Sequence, residues 1–101
     1  MKEIKAIIQP FMLDAVVDAL REVDHLPAVT VSEVQGIGVA EADAPPCRRL
    51  KLEIVVPDHL APLVVQAISR HARTGNPGDG RIFVIPVEES VKIRTGQIDP
   101  G

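Results

Sequence analysis

Tryptophan and tyrosine are absent from this chain, and phenylalanine occurs twice. Nothing is therefore available to build the aromatic platforms on which single-stranded nucleic acid stacks. A basic stripe is missing too: 11 Lys and Arg are interspersed with 14 Asp and Glu, for a net charge of −3. No nucleic-acid partner is expected from such a surface. A lone cysteine, Cys47, has no intramolecular partner, so the chain reads as the product of a reducing compartment. Between Met1 and Pro10 stand Lys2, Glu3 and Lys5 and then only a short apolar run, too short for a signal-peptide core or a membrane span. The expected location is cytoplasmic. The three histidines, His25, His59 and His71, lack ligand spacing such as His-x-x-x-His, and no metal site is expected from them.

What is present is aliphatic. Hydrophobic residues make up 46% of the chain but aromatics only 2%, so the core has to be built from Val, Ile, Leu and Ala. At 101 residues the chain reads as one domain, 1–101, able to bury roughly two thirds of its unfolded surface. Lys2 to Ile8 is β-branched in near alternation and predicts a strand closed by Pro10. Leu13, Val16, Val17 and Leu20 recur at helical spacing between Phe11 and Asp24. Ala28 to Ile37 alternates imperfectly and reads as the second strand, with Gly36 and Gly38 marking its end. Val39 to Arg49 has no period, and Pro45-Pro46 forbids ladder and helix bonds, so a mobile loop is expected there. Leu50 to Val56 predicts a third strand. Asp58 is placed as an N-cap, and Leu60, Leu63, Val64, Ala67 and Ile68 carry a second helix to Ala72, with Pro62 in its first turn. Arg81 to Val87 predicts a fourth strand, and Ser90 to Thr95 a short fifth.

The order βαββαβ points to an α+β ferredoxin-like sandwich, an antiparallel sheet with both helices on one face. Ile4, Ile7 and Ile8, and the run Ile54-Val55-Val56, put apolar residues on both parities of their strands. Both sheet faces are then expected to be buried, the free one in an oligomer.

The chemistry concentrates in Arg73-Thr74-Gly75-Asn76-Pro77-Gly78-Asp79-Gly80-Arg81-Ile82-Phe83-Val84, where the second helix stops and the fourth strand begins. Three glycines permit backbone N–H groups to converge, and Arg73 and Arg81 bracket them with fixed charge, the combination that a phosphate needs. The same residues also read as a helix end with Gly75 at C′ followed by Pro-Gly and Asp-Gly turns. Local chemistry favours the cap and turn, because such turns outnumber phosphate sites.

Five ordered segments resemble the PII signal-transduction family: Met1 to Phe11, Thr30-Val31 to Gly36-Ile37-Gly38, Ile54-Val55-Val56-Pro57-Asp58, Ala72 to Val84, and Val91-Lys92-Ile93-Arg94-Thr95-Gly96. The resemblance implies a homotrimer of ferredoxin-like subunits with ATP, ADP or AMP held between neighbours. It also implies a long loop that docks onto a partner, such as a membrane transporter or a metabolic enzyme. Carried over by position, the adenine pocket falls on Ile7, Thr30, Gly36, Ile37 and Val55, with Gly38 beside it. Phosphates fall to Gly78, Asp79, Gly80 and Arg81, and to Lys92 and Arg94 from the far end of the cleft. Lys92 stands where the family usually has Arg. The docking loop, Val39 to Arg49, is markedly shorter than the family's and carries no tyrosine to be uridylylated. Val39-Ala40 replaces the family's Arg-Gln pair, removing one phosphate contact and the amide that helps place magnesium and 2-oxoglutarate. A divergent PII-like regulator, not an enzyme, is therefore expected, with a site favouring ADP or AMP over ATP.

Other constellations compete with this reading. Cys47 beside Arg48 and Arg49 could be a reactive thiolate, although an incidental loop cysteine weighs more without a resolving partner. Glu88-Glu89 would point to opposite faces of a strand and makes a poor acid/base pair. Two rivals remain open: a slow ATPase using Asp79 or Glu53 to orient water, and a nucleotide-free, metal-responsive module sensing through Cys47 or the histidines.

Overall fold

Ile4, Ala6 and Ile8 alternate along one strand with Lys5 and Ile7, and this period of two decides which face of the sheet takes the helices. In the computed structural model, which describes residues 1–41 and 43–100, that strand is β1, Lys2–Ile8. A 3-10 turn, Pro10–Met12, leads into α1, Leu13–Arg21. Then follow β2, Thr30–Gly36, and β3, Cys47–Val56. A second 3-10 turn, Asp58–Leu60, opens α2, Ala61–Ala72, and β4 covers Gly80–Pro86. The remaining strands, β5 (Glu89–Val91) and β6 (Ile98–Pro100), pair as a separate hairpin.

The four-stranded sheet has the order β2-β3-β1-β4, all antiparallel. With two helices this is the expected ferredoxin-like α+β fold. β1 is central, pairing Ile4 with Ile54 of β3 and Val84 of β4. Ile4, Ala6 and Ile8 bury against Leu50, Leu52, Ile54 and Val56 of β3, Val16 and Leu20 of α1, and Ala61, Val64, Ile68 and Ala72 of α2. Each large aliphatic side chain so buried contributes about 1.5–3 kcal/mol, and seven of them, Val16 and Ile68 included, are less than 2% exposed. No helix of the described residues is long and apolar enough to cross a membrane.

Several boundaries differ from the sequence reading. α1 is shorter than Phe11–Asp24, because Pro10 starts a 3-10 turn and α1 gives out at Arg21. β3 begins at Cys47, not Leu50, because the β2–β3 ladder continues to Gly36 opposite Cys47. Cys47 is thus an exposed strand residue, and the loop is reduced to the residues between 36 and 47. Asp58 does not cap α2. It lies inside the 3-10 turn, whose N-cap is Pro57, and its carboxylate accepts the Met1 α-ammonium at 2.6 Å. Gly75 is not at C′ either, since Arg73 leaves the helical region first (φ −78°, ψ 128°). The fifth strand ends at Val91, and its partner β6 was not foreseen.

The sheet face away from the helices, the one expected to be covered in an oligomer, is a mosaic in the single chain. Lys5 sits near Glu3 (3.8 Å) and Lys51 near Glu53 (3.5 Å), all partly exposed, interleaved with Ile7, Val55, Phe83 and Ile85.

Candidate functional site

Residues 73–80 form a closed turn whose shape is set by one carboxylate. Asp79 accepts the Thr74 hydroxyl, the Thr74 N–H at 2.8 Å and the Gly75 N–H at 2.9 Å. Thr74 Oγ1 in turn accepts the Asn76 N–H at 3.1 Å. Donation from the Thr74 hydroxyl and then from its N–H holds the Asp79 carboxyl below the usual carboxylate range, with a smaller assistance from Arg73. An acceptor so saturated and so acidic is a poor general base, which argues against Asp79 as the water-orienting group of an ATPase.

Gly75, Gly78 and Gly80 take φ of +88°, +92° and +104°, the left-handed region that glycine enters without strain. At Gly80 there is a second reason for glycine. A Cβ there would stand 1.7 Å from the Ile7 carbonyl oxygen, so β4 can pair with β1 only where residue 80 has no side chain. At Gly78 a Cβ would meet the tips of Arg49 and Gln9, each at 3.2 Å. Gln9 Nε2 donates to the Gly78 carbonyl at 2.9 Å, tying the turn to the end of β1. Gln9 was not singled out from sequence, and Arg49 only as a cation beside Cys47. The signal was available in the topology: the antiparallel register sets Ile8 opposite both Leu50 and Gly80, so the residues just beyond them converge.

The expected site residues divide along the length of the sheet. Ile7 pairs with Arg81 and Lys51, and the Gly78, Asp79, Gly80 and Arg81 turn stands at that end with Gln9 and Arg49. Gly36 ends β2 in the same direction, followed by exposed Ile37 and Gly38. Thr30, at the start of β2 and level with Lys5 in mid-sheet, and Val55, level with Glu3, line a depression of about 380 Å³ with Glu3 and Glu53. Six residues of strand separate Thr30 from Gly36, roughly 20 Å. Lys92 and Arg94 belong to the β5–β6 hairpin, on the Thr30 side, since β4 ends with Pro86 opposite Lys2. That hairpin is closed by Lys92 N–H to Gln97 O at 2.9 Å and Gly96 N–H to Lys92 O at 2.7 Å. Among the described residues, the side chains of Arg73, Arg81, Lys92 and Arg94 have no ion-pair or hydrogen-bond partner. The described residues contain no group of three or more His, Cys, Asp or Glu that could hold a metal ion.

Comparison with known proteins places the whole chain in a family. The family model described as "Nitrogen regulatory protein P-II" matches residues 1–97. A nitrogen regulatory protein P-II of Bradyrhizobium diazoefficiens is 44% identical over 107 residues, covering 96% of this chain and 95% of its own length. That of Azospirillum brasilense is 43% identical with the same coverage. Nitrogen regulatory protein P-II 1 of Escherichia coli K12 is 43% identical, covering 98% of this chain and 96% of its own. The relatives bear the names of regulatory proteins rather than enzymes, and with both the fold and the length of the match in agreement, this chain belongs to the nitrogen regulatory protein P-II family.

Proposed function

We propose that this protein is a nucleotide-responsive regulator acting as a homotrimer. An adenine nucleotide is held between neighbouring copies, and the short loop after β2 controls a partner, a transporter or a metabolic enzyme. One observation carries the reading: within one chain the candidate residues fall into two halves, since Arg81 lies level with Ser32 and Ile7, offset along the strands by roughly 7 Å from Thr30 and roughly 13 Å from Val55, with β1 and β3 between β4 and β2. Gly78, Gly80 and Arg81 form one half, and Thr30, Val55, Lys92 and Arg94 the other. One nucleotide reaches both halves only where a second copy brings its Thr30 end against the first copy's glycine turn. Apolar groups then receive the base, and Arg81, Lys92 and Arg94 the phosphates.

Val39, 96% exposed, and Ala40 carry no side-chain donor for a third phosphate or for a magnesium-bound ligand. The site on this reading prefers ADP or AMP to ATP, since each charge-assisted bond lost costs about 1.5–3 kcal/mol. Titration calorimetry with ATP, ADP and AMP, alongside a native mass measurement, tests both parts. Binding of ADP or AMP to a three-chain species, weakened about tenfold or more by Arg81→Gln, is the expected result. No heat from any of the three at millimolar ligand refutes the nucleotide reading, and a monomer refutes the shared site.

A further inference from the structure

Beside the glycine turn lies a cavity of about 390 Å³ that borders the nucleotide residues Ile7, Gly80 and Arg81 but whose α2 side, Val65, Ser69 and Arg73, the nucleotide reading does not use. Its volume falls in the range of small-molecule pockets. Half-buried Val65 of α2 and Ile82 of β4 supply its accessible apolar surface, over a floor of buried Ile8, Ile68 and Ala72. This floor is purely aliphatic and offers no ring on which a nucleobase stacks. The polar rim comes from Ser69, Arg73, Asp79 and Arg81. Among the described residues the Ser69 hydroxyl and both guanidiniums have no hydrogen-bond or ion-pair partner in contact, and Arg73 acts on Asp79 only through space. Asp79 does not neutralise them by contact, because both its oxygens are bonded to Thr74 and Gly75. An apolar half-enclosed volume with two unpaired guanidiniums at its edge calls for a ligand with an aliphatic body and one planar anion. A guanidinium fork matches a carboxylate in just that way.

We propose that this cavity is a second binding site, for a small branched aliphatic carboxylate. Its carboxylate pairs with Arg73 or Arg81, and its hydrocarbon lies between α2 and β4. This inference goes beyond the nucleotide reading and does not rest on it. The two sites nonetheless share Gly80 and Arg81, so occupancy of one alters the affinity of the other, and equally in both directions.

The probe is 4-methylpentanoate, titrated into the full chain carrying labelled Ile, Val and Leu methyl groups. The expected result is saturable shifts at Val65, Ile68 and Ile82, with a dissociation constant on the order of 1 mM, within reach of a ligand of about eight non-hydrogen atoms. Replacing both guanidiniums, Arg73→Gln with Arg81→Gln, weakens binding about tenfold or more. Ser69→Leu, at an exposed helical position that tolerates leucine, fills the cavity and abolishes binding while the melting temperature holds. 4-Methylpentan-1-ol, with the same body and no charge, binds at least about tenfold more weakly. Leucine in a parallel titration distinguishes the source: tighter binding identifies an amino acid, weaker binding a free carboxylic acid. Shifts that stay linear to 50 mM, equal affinity for the alcohol, or shifts only at Thr30 and Val55 overturn the proposal. None of these readouts depends on heat from a nucleotide, so either site can fail without the other.

Discussion

Gly80→Ala tests whether the glycine turn is fixed by the sheet or by its own residues. The added Cβ would lie 1.7 Å from the Ile7 carbonyl oxygen and 2.8 Å from the Ile7 carbonyl carbon. Both atoms belong to the backbone of the central strand, so no side chain can turn aside. Either β4 moves away from β1 or the Ile8–Gly80 pairing opens, and the register through Ile82 and Val84 suffers with it. The φ of +104° adds its own penalty for a residue with a Cβ. About 1–3 kcal/mol for backbone strain and about 1–3 kcal/mol for overpacking together give ~4 kcal/mol, a large share of a domain's ~5–15 kcal/mol. Gly75→Ala is the matched control. It has a φ of +88° and nothing within 4 Å of the new Cβ, so it costs only the conformational part, about 1–2 kcal/mol. Denaturant unfolding of both variants and the parent at one protein concentration measures the difference, with an unchanged m-value as the condition for comparison. If Gly80→Ala lies within 1 kcal/mol of Gly75→Ala, steric control of the turn by β1 is wrong.

Three further outcomes follow from the structure. Asp79 has a folded-state pKa below its unfolded value, so its contribution is complete above about pH 4 and is lost as pH falls through the lower folded value. Asp79→Asn therefore flattens the acid limb of a stability–pH curve measured from pH 5 to 2.5, and an unchanged limb refutes the hydrogen-bond assignment. Ile4→Ala, at a site with 0% exposure in the central strand, lowers unfolding free energy by about 3 kcal/mol, and a loss below 1 kcal/mol contradicts the placement of the core. Arg48 donates to Glu33 across the β2–β3 stem with both groups well exposed. A double-mutant cycle with Glu33→Gln and Arg48→Gln should give a coupling of no more than about 1 kcal/mol.

Periodicity made the four main strands and both helices legible, because Ile4-Ala6-Ile8 and Val64-Ile68 are patterns that local sequence carries in full. What escaped was decided by partners distant in the chain. Pro45-Pro46-Cys47-Arg48-Arg49 has no alternation, yet Cys47 to Arg49 are strand residues because Gly36, Gln35 and Val34 pair with them. β6 exists only through Glu89–Val91, three residues against three. Asp58 has the right residue type for a cap, but a cation 57 positions away in sequence claims its carboxylate. His25 takes a φ of +66° in the connection after α1, a conformation that no nearby glycine signals.

The turn between α2 and β4 was first readable as a cap or as a cradle, and its glycines divide between those roles. Gly80 is required by the approach of Ile7, so its presence is no argument for a phosphate. Gly75 stands in open space and is needed only for its positive φ. Asp79 is spent on Thr74 and Gly75, which makes it the lock of the turn and removes it from the ligand. The case for a cradle therefore rests on what remains: Gly78, where Gln9 and Arg49 crowd the place of a side chain, and Arg81, with no partner among the described residues. Two of those four residues come from strands that only the tertiary register brings to the turn. The glycine pattern thus located the site, while its polar half was written elsewhere in the chain, at the ends of β1 and β3.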